Sequence, residues 1–296
     1  MNYQQNNQAK ADFNNVYHAA TPHQYFALMN RLDYRIGEEA SPYFRAAIDL
    51  LRRQNDPAEV QMLDVGCSYG VGSALVKHRF SFNQIANFFK NDASRDYAEC
   101  VQDTRQWLKT EAESSLAIQC VGMDCSEEAL QFAEEAELLD AGISKNFEEN
   151  EEATEAEIQL MRHCNLMTST GAIGYITEKT LGTVLSHLGK ALPEQHGPYI
   201  VVTILRMFHS APIRNIFQHF GFQFERMPGI RLRQRQFADE TEQRKTIRVL
   251  KEHDVDPTDW ESEGHLYANL FAAAPEPDFP ALKHIILETR DRMNRA

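Results

Sequence analysis

The run Leu63-Asp64-Val65-Gly66-Cys67-Ser68-Tyr69-Gly70-Val71-Gly72 constrains the fold of this chain more than any other stretch. A short apolar run reaches an acidic residue and then a glycine-rich turn, a pattern that reads as a strand, a tight loop and a helix. Gly66 and Gly70 lack a Cβ, so the backbone there is free to adopt positive φ and a ligand can approach closely. Ser68 stands where a middle glycine is common. In an open α/β sheet such a turn is where a nucleoside-containing cofactor binds, although structural turns use the same residues.

A second element has the same form. Ile118 to Met123 is apolar and ends at Asp124, followed by Cys125-Ser126-Glu127-Glu128-Ala129-Leu130, which reads as a capped helix start. An acid at a strand end can accept both ribose hydroxyls. It can also cap the next helix, a role open to Ser126.

These two segments, with Asn165-Leu166-Met167-Thr168-Ser169-Thr170-Gly171, together resemble class I S-adenosylmethionine-dependent methyltransferases, over about residues 58–275. The resemblance implies a Rossmann-like, doubly wound, seven-stranded and mostly parallel α/β sheet with an antiparallel final strand, and S-adenosylmethionine as cofactor. It places the methionine part of that cofactor in the glycine loop, the ribose on the acid after the second strand, adenine at the turn after the third strand, and the methyl-transfer pocket beside the end of the fourth. The implied cofactor-binding residues are Asp64, Gly66, Cys67, Ser68, Gly70, Asp124, Cys125, Asn146, Phe147, Ser169 and Thr170. Ser68 departs from the commonest loop, and Asp124 follows Asp64 by 60 positions where the general dinucleotide pattern places its acid about twenty residues on. An insertion must fill that gap. Between 79 and 115 the apolar residues Phe82, Ile85, Phe88, Phe89, Tyr97, Val101 and Trp107-Leu108 predict one or two amphipathic helices over the sheet edge or the site.

The chain divides into an N-terminal helical cap (1–57), the sheet domain (58–275, with insertions at about 79–115 and 228–264) and a C-terminal helical tail (276–296). Within the cap, Tyr25-Phe26, Met29, Leu32 and Ile36 predict one helix and Phe44, Ala47-Ile48 and Leu50-Leu51 another, punctuated by Pro22 and Pro42 and closed by Asp56-Pro57. Glu127–Leu139 reads as a helix stopped at Asp140-Ala141-Gly142, and Ile143–Glu148 as the third strand and its end. Tyr199–Leu205 is apolar enough for a central parallel strand. Gly221–Glu225 and Leu266–Phe271 read as an antiparallel pair. Phe279, Leu282, Ile285-Ile286 and Met293 predict an amphipathic tail packed on the domain or on a second subunit, so a homodimer is an open expectation.

Composition removes other classes. A formal net charge of −13 argues against binding a phosphate backbone, which requires clustered Lys and Arg. No apolar stretch is long enough to cross a membrane and no signal-like start is seen, so the expectation is a cytoplasmic protein. The 5 cysteines and 11 histidines lack the spacing of a zinc site or a disulfide framework, and no metal is expected.

The reaction expected from the resemblance is in-line transfer of a sulfonium methyl to a nucleophilic atom of a small-molecule acceptor. Tyr175 and His209 are the candidate bases or orienting groups at the rim. Tyr25, Tyr34, Arg206 and Arg235 are the candidate substrate contacts, Arg235 lying in the basic run Arg231–Phe237 that either clamps an anionic acceptor or pairs with Asp239, Glu240 and Glu242 on the surface. A nicotinamide-dependent oxidoreductase and a non-catalytic cofactor-binding or scaffold protein are the alternatives.

Overall fold

The computed structural model describes residues 9–11, 13–55, 59–90, 96–111, 115–192 and 195–295. The polar leader 1–8 and the Asp56-Pro57 break lie outside them. Helices α1 (His23–Arg31) and α2 (Ile36–Gln54) precede β1 (Gln61–Val65), α3 (Val71–Lys77), α4 (Phe82–Lys90), α5 (Tyr97–Glu111), β2 (Gln119–Asp124), α6 (Glu127–Glu135) and β3 (Ala141–Ser144). There follow α7 (Glu155–His163), β4 (Leu166–Ile173), α8 (Glu178–His187), β5 (Tyr199–Leu205), α9 (Ala211–His219), β6 (Phe222–Arg226), β7 (Leu232–Gln236), α10 (Glu240–Glu252), β8 (His265–Pro275) and α11 (Phe279–Met293).

The strands join in the order β3-β2-β1-β4-β5-β8-β6, with β7 also paired to β8. β1 to β5 are mutually parallel, and β8 runs against β5, β6 and β7. This is a Rossmann-like, doubly wound fold, mostly parallel with a reversed final strand, and β7 is an eighth member beyond the seven expected. Side chains alternate between two apolar layers. Met62, Cys120, Leu166, Tyr199 and Val201 face one core with α2, α6 and α11, while Leu63, Val65, Val121, Met167, Ile200 and Val202 face the other with α8 and α9. Burial on both faces explains why β5 reads as an unbroken apolar run. The connections reverse direction between β1 and β4, and that switch point is where the glycine loop leaves the sheet.

Several boundaries differ from the sequence expectation. α2 continues through Pro42, which removes the donor to the Glu38 carbonyl and crowds it at a cost of about 3 kcal/mol, because its buried face (Phe44, Ala47, Ile48, Leu51) outweighs that loss. That face packs α2 onto the sheet layer with α11 and α3, so α2 is built into the domain. The helix after Asp124 stops at Glu135, and Gly142, expected to end it, lies inside β3. Phe147 and Glu148, predicted to finish the third strand, lie in a 3-10 turn (Phe147–Glu149).

The long excursion between β1 and β2 leaves their pairing intact, with Leu63 opposite Val121 and Asp64 opposite Gly122. Two of its helices, α4 and α5, dock through an aromatic ladder. Phe80 and Phe88 stack on Trp107 at 4.4 and 4.7 Å, and Phe89 stacks on Phe26 of α1 at 4.7 Å.

The basic run forms strand β7, and of its two expected readings the pairing with Glu242 holds, buried in the fold and not on the surface. The Arg235 guanidinium is buried and donates to both carboxylate oxygens of Glu242 at 2.9 and 2.7 Å. Glu242 sits in the first turn of α10, capped by Asp239, and also accepts the backbone N–H groups of Ala238 and Ala11. Arg235 is therefore committed to structure. The other edge of β7 meets the α1–α2 connection, where Arg35 N–H donates to the Gln234 carbonyl and Gln236 N–H to that of Leu32, both at 2.7 Å. Glu242→Ala would strand a buried guanidinium, and urea unfolding is expected to show a loss of about 3–5 kcal/mol. A loss below 1 kcal/mol would mean that the pair is dispensable.

Candidate active site

The loop between β1 and α3 is shaped by what lies behind it. At Gly66, φ is +76° and a Cβ would stand 2.3 Å from the Ala172 Cβ, so the far part of β4 packs directly against the turn. Gly66 and Cys67 N–H groups both donate to the Met123 carbonyl, joining the loop to the end of β2. Ser68 adopts φ +49°, a conformation that costs a side-chain-bearing residue about 1–2 kcal/mol. What offsets this is visible: Ser68 N–H donates to Asp124 Oδ2 at 2.8 Å, while Asp124 Oδ1 accepts the Ser126 N–H at 3.1 Å. Two residues 56 positions apart thus meet through one charge-assisted hydrogen bond. Helix capping falls to Ser126, whose Oγ accepts from Ala129 N–H. The buried Ser68 Oγ has no hydrogen-bond partner among the described residues.

Asp64 lies beneath the loop, 3% exposed. It accepts the Thr168 hydroxyl at 3.2 Å, and its Oδ2 would be 2.6 Å from a Cβ at Gly72. Burial pushes its carboxyl up to about 6; the Thr168 hydrogen bond opposes this and the Asp124 charge adds to it. Ser169 is buried with Oγ donating to the Val65 carbonyl at 2.7 Å, and Thr170 lies within reach of the Tyr34 hydroxyl. Both belong to β4, which runs on to Ile173 where a small-residue turn was expected. Cys67 is buried and Cys125 exposed. Burial, then the Asp124 charge, raises both thiols, Cys125 to about 11, which opposes thiolate chemistry. Phe147 is buried in the core on the β4 side, and Asn146 N–H donates to Glu151 Oε2.

Of the residues expected around an acceptor, Tyr25 and Tyr34 come together through a side-chain hydrogen bond, whereas Arg206 and His209 are engaged by other partners. Tyr34 is half-buried beside Thr170, and burial raises its phenol well above the usual range. Tyr25 is 4% exposed, in edge contact with Tyr17 and Phe26 and tilted against Tyr69, so core packing accounts for it. Arg206 pairs with Glu261 at 2.6 Å and lies over the Trp260 ring, so its guanidinium is engaged away from the loop. His209 lies tilted against His253 with ring centroids 3.8 Å apart, and the His253 Nδ1 donates to the Met207 carbonyl, which places it on the α10 side of β5. Tyr175 is 50% exposed, with the Lys10 amine 4.2 Å from its ring centroid.

Sequence reasoning missed the segment before α1. Tyr69 of the glycine loop donates its hydroxyl to the carbonyls of Ala19 and Val16 at 2.6 and 3.2 Å, and Ser126 Oγ donates to that of Tyr17 at 2.8 Å. These bonds hold residues 16–19 across the carboxyl ends of β1 and β2. Lys10 is half-buried, and burial followed by the Arg235 charge lowers its amine to about 7. Both Tyr69 and Lys10 accept or supply contacts to backbone and ring faces, which leave no spacing signal. Among the described residues no group of three or more His, Cys, Asp or Glu is arranged to hold a metal ion, and no helix is long and apolar enough to cross a membrane.

No protein-family profile matches the chain, and no curated protein matches it in sequence. Among solved structures it is similar to the plantazolicin methyltransferase BamL in complex with a triazolic desmethylPZN analog and SAH, at 12% identity and TM-score 0.45 over 93% of this chain and 97% of that one. The plantazolicin methyltransferase BpumL with SAH gives 11% identity and TM-score 0.43, covering 93% of this chain and 96% of that one. A SAM-dependent methyltransferase from Geobacter sulfurreducens in complex with S-adenosyl-L-homocysteine gives 12% and 0.35, covering 79% and 90%.

Because the Asp64 carboxyl holds its proton more tightly folded than unfolded, its favourable contribution is present below pH 4 and lost as pH rises through about 6. Asp64→Asn stays neutral and keeps an acceptor for Thr168. Its stability relative to the parent is expected to rise by roughly 1–3 kcal/mol between pH 4 and pH 7 in paired thermal melts. A pH-independent difference would show that Asp64 titrates normally.

Proposed function

We propose that this chain is an S-adenosylmethionine-dependent methyltransferase acting on a small-molecule acceptor. The observation that carries the reading is the Asp124 carboxylate joined to the Ser68 N–H at 2.8 Å, which places the acid and the glycine turn at one mouth of the sheet. The local chemistry fits an adenosyl ligand: a turn backed so closely that residue 66 tolerates no Cβ, an unpartnered buried hydroxyl on Ser68, and a carboxylate at the strand end.

In this reading Gly66, Cys67, Ser68 and Gly70 surround the methionine part, Asp124 accepts the ribose hydroxyls, and Cys125, Asn146 and Phe147 border the adenine. Ser169 and Thr170 lie at the amino-acid end, with Asp64 supporting the loop from below. The cofactor supplies an activated sulfonium methyl, so the protein's task is alignment and exclusion of water. The segment 16–19, held over the strand ends by Tyr69 and Ser126, excludes solvent. Tyr175 and the Lys10 amine above it form the rim pair. With its amine lowered to about 7, Lys10 is suited to take a proton from an acceptor near neutral pH, a role His209 fills less well against His253. The net charge of −13 favours a small acceptor over a nucleic acid.

Titration calorimetry tests this directly. S-adenosylmethionine and S-adenosylhomocysteine are expected to bind and NAD not to. Asp124→Ala is expected to weaken S-adenosylhomocysteine by at least about 1 kcal/mol, roughly fivefold. Absence of S-adenosylmethionine binding overturns the reading; binding without transfer to any acceptor would favour a non-catalytic role.

A further inference from the structure

Residues 13–19 cross the strand ends without joining the sheet. Their regular structure is a four-residue helical turn, Asn14–Tyr17. Hydrogen bonds from two side chains tie this backbone to the sheet domain: the Tyr69 hydroxyl donates to the carbonyls of Val16 and Ala19, and Ser126 Oγ to that of Tyr17. Further contacts are aromatic or apolar. Phe13, Val16 and Tyr17 pack at the margin of the core, the Phe13 ring lies 5.2 Å from the Arg235 guanidinium, and Tyr17 meets Tyr25 edge-on. A segment fastened in this way opens at a lower free energy than strands bonded along both edges.

Both fasteners stand at positions that the methyltransferase reading gives to the cofactor. Tyr69 follows Ser68 in the glycine turn, and Ser126 shares the Asp124 carboxylate with the Ser68 N–H. The Tyr69 ring is fully buried, tilted against Tyr25 and edge-on to Phe132, so the domain holds the ring while the hydroxyl reaches the crossing segment. Tyr17 turns inward from that segment. Burial raises its phenol to about 12, with the Arg235 charge opposing and the Asp124 charge adding, so the hydroxyl stands within electrostatic reach of both β7 and the carboxylate at the end of β2. Residues 13–19 are thus seated on the glycine turn and beside Asp124 at once.

Resting on that reading, we propose that residues 13–19 are a lid, latched by the Tyr69 hydroxyl, that lifts to admit S-adenosylmethionine to the glycine turn and Asp124 and then closes over it. Closure keeps solvent from the transfer step. The latch belongs to the turn that the cofactor orders, so arrival of the ligand and sealing of the site are coupled through one side chain.

The rates at which the full chain binds and releases radiolabelled S-adenosylhomocysteine test the lid. Tyr69→Phe keeps the buried ring and removes the latch. Release is expected to accelerate about fivefold and binding about twofold, because a looser lid is open more often in the free protein as well. Faster release with unchanged or slower binding, the result of a damaged binding surface, overturns the proposal, as does no change in either rate. Tyr17→Ala leaves the carbonyl that Ser126 holds and removes the inward ring; it is expected to accelerate both rates, and it decides the matter if Tyr69→Phe does not fold. Unchanged or slower binding in that variant overturns the lid equally. A parent protein that binds no S-adenosylhomocysteine overturns the methyltransferase reading itself, and the lid with it.

Discussion

The hydrogen bond from Ser68 N–H to the Asp124 carboxylate is the contact on which the organisation of the mouth depends. It compensates a backbone conformation that a serine does not adopt cheaply, and it joins two strand ends whose connection runs through α3, α4 and α5. The same carboxylate receives Ser126 N–H, so the start of α6 is positioned by the group that positions the loop. Parallel pairing of β1 with β2 supplies the scaffold, and the length of the excursion does not disturb it, because loop-closure cost grows only slowly with length.

The parts of this arrangement that were legible in the sequence are those with a short period or a steric requirement. The apolar runs ending at Asp64 and Asp124, the Gly66 turn and the buried β5 all follow from local pattern. The two helices of the 79–115 insertion were readable from their aromatic spacing; that they would stack on Phe26 of α1 was not, since the partner is far away in the chain. Tyr25 and Arg206 fit a pocket by chemical type, yet neighbours supplied by other elements claim them, Tyr69 in one case and Glu261 with Trp260 in the other. The placement of Lys10 was hidden because its environment is made by Tyr175, Arg235 and Glu242, none of them close in sequence.

Strand β7 shows how a strongly polar stretch enters a sheet. Leu-Arg-Gln-Arg-Gln has little strand propensity, but Glu242 neutralises the guanidinium that a bulge between Arg233 and Arg235 turns inward, and the α1–α2 connection satisfies the outer backbone edge. Charge placement, which composition alone reads as surface, here decides an internal contact.

β8 alone runs against its neighbours, and it serves them all. One flank of its 11 residues pairs with β5, while the other is shared by β6 at the distal half and β7 at the proximal half. Three segments made earlier therefore wait for a single late one. During synthesis, a nascent chain that has emerged only as far as α10 exposes the edge of β5 and leaves β6 and β7 without a template, a state prone to intermolecular pairing. Completion of the sheet, and with it the seating of β6 and β7, therefore waits on β8, the strand that all three neighbours share.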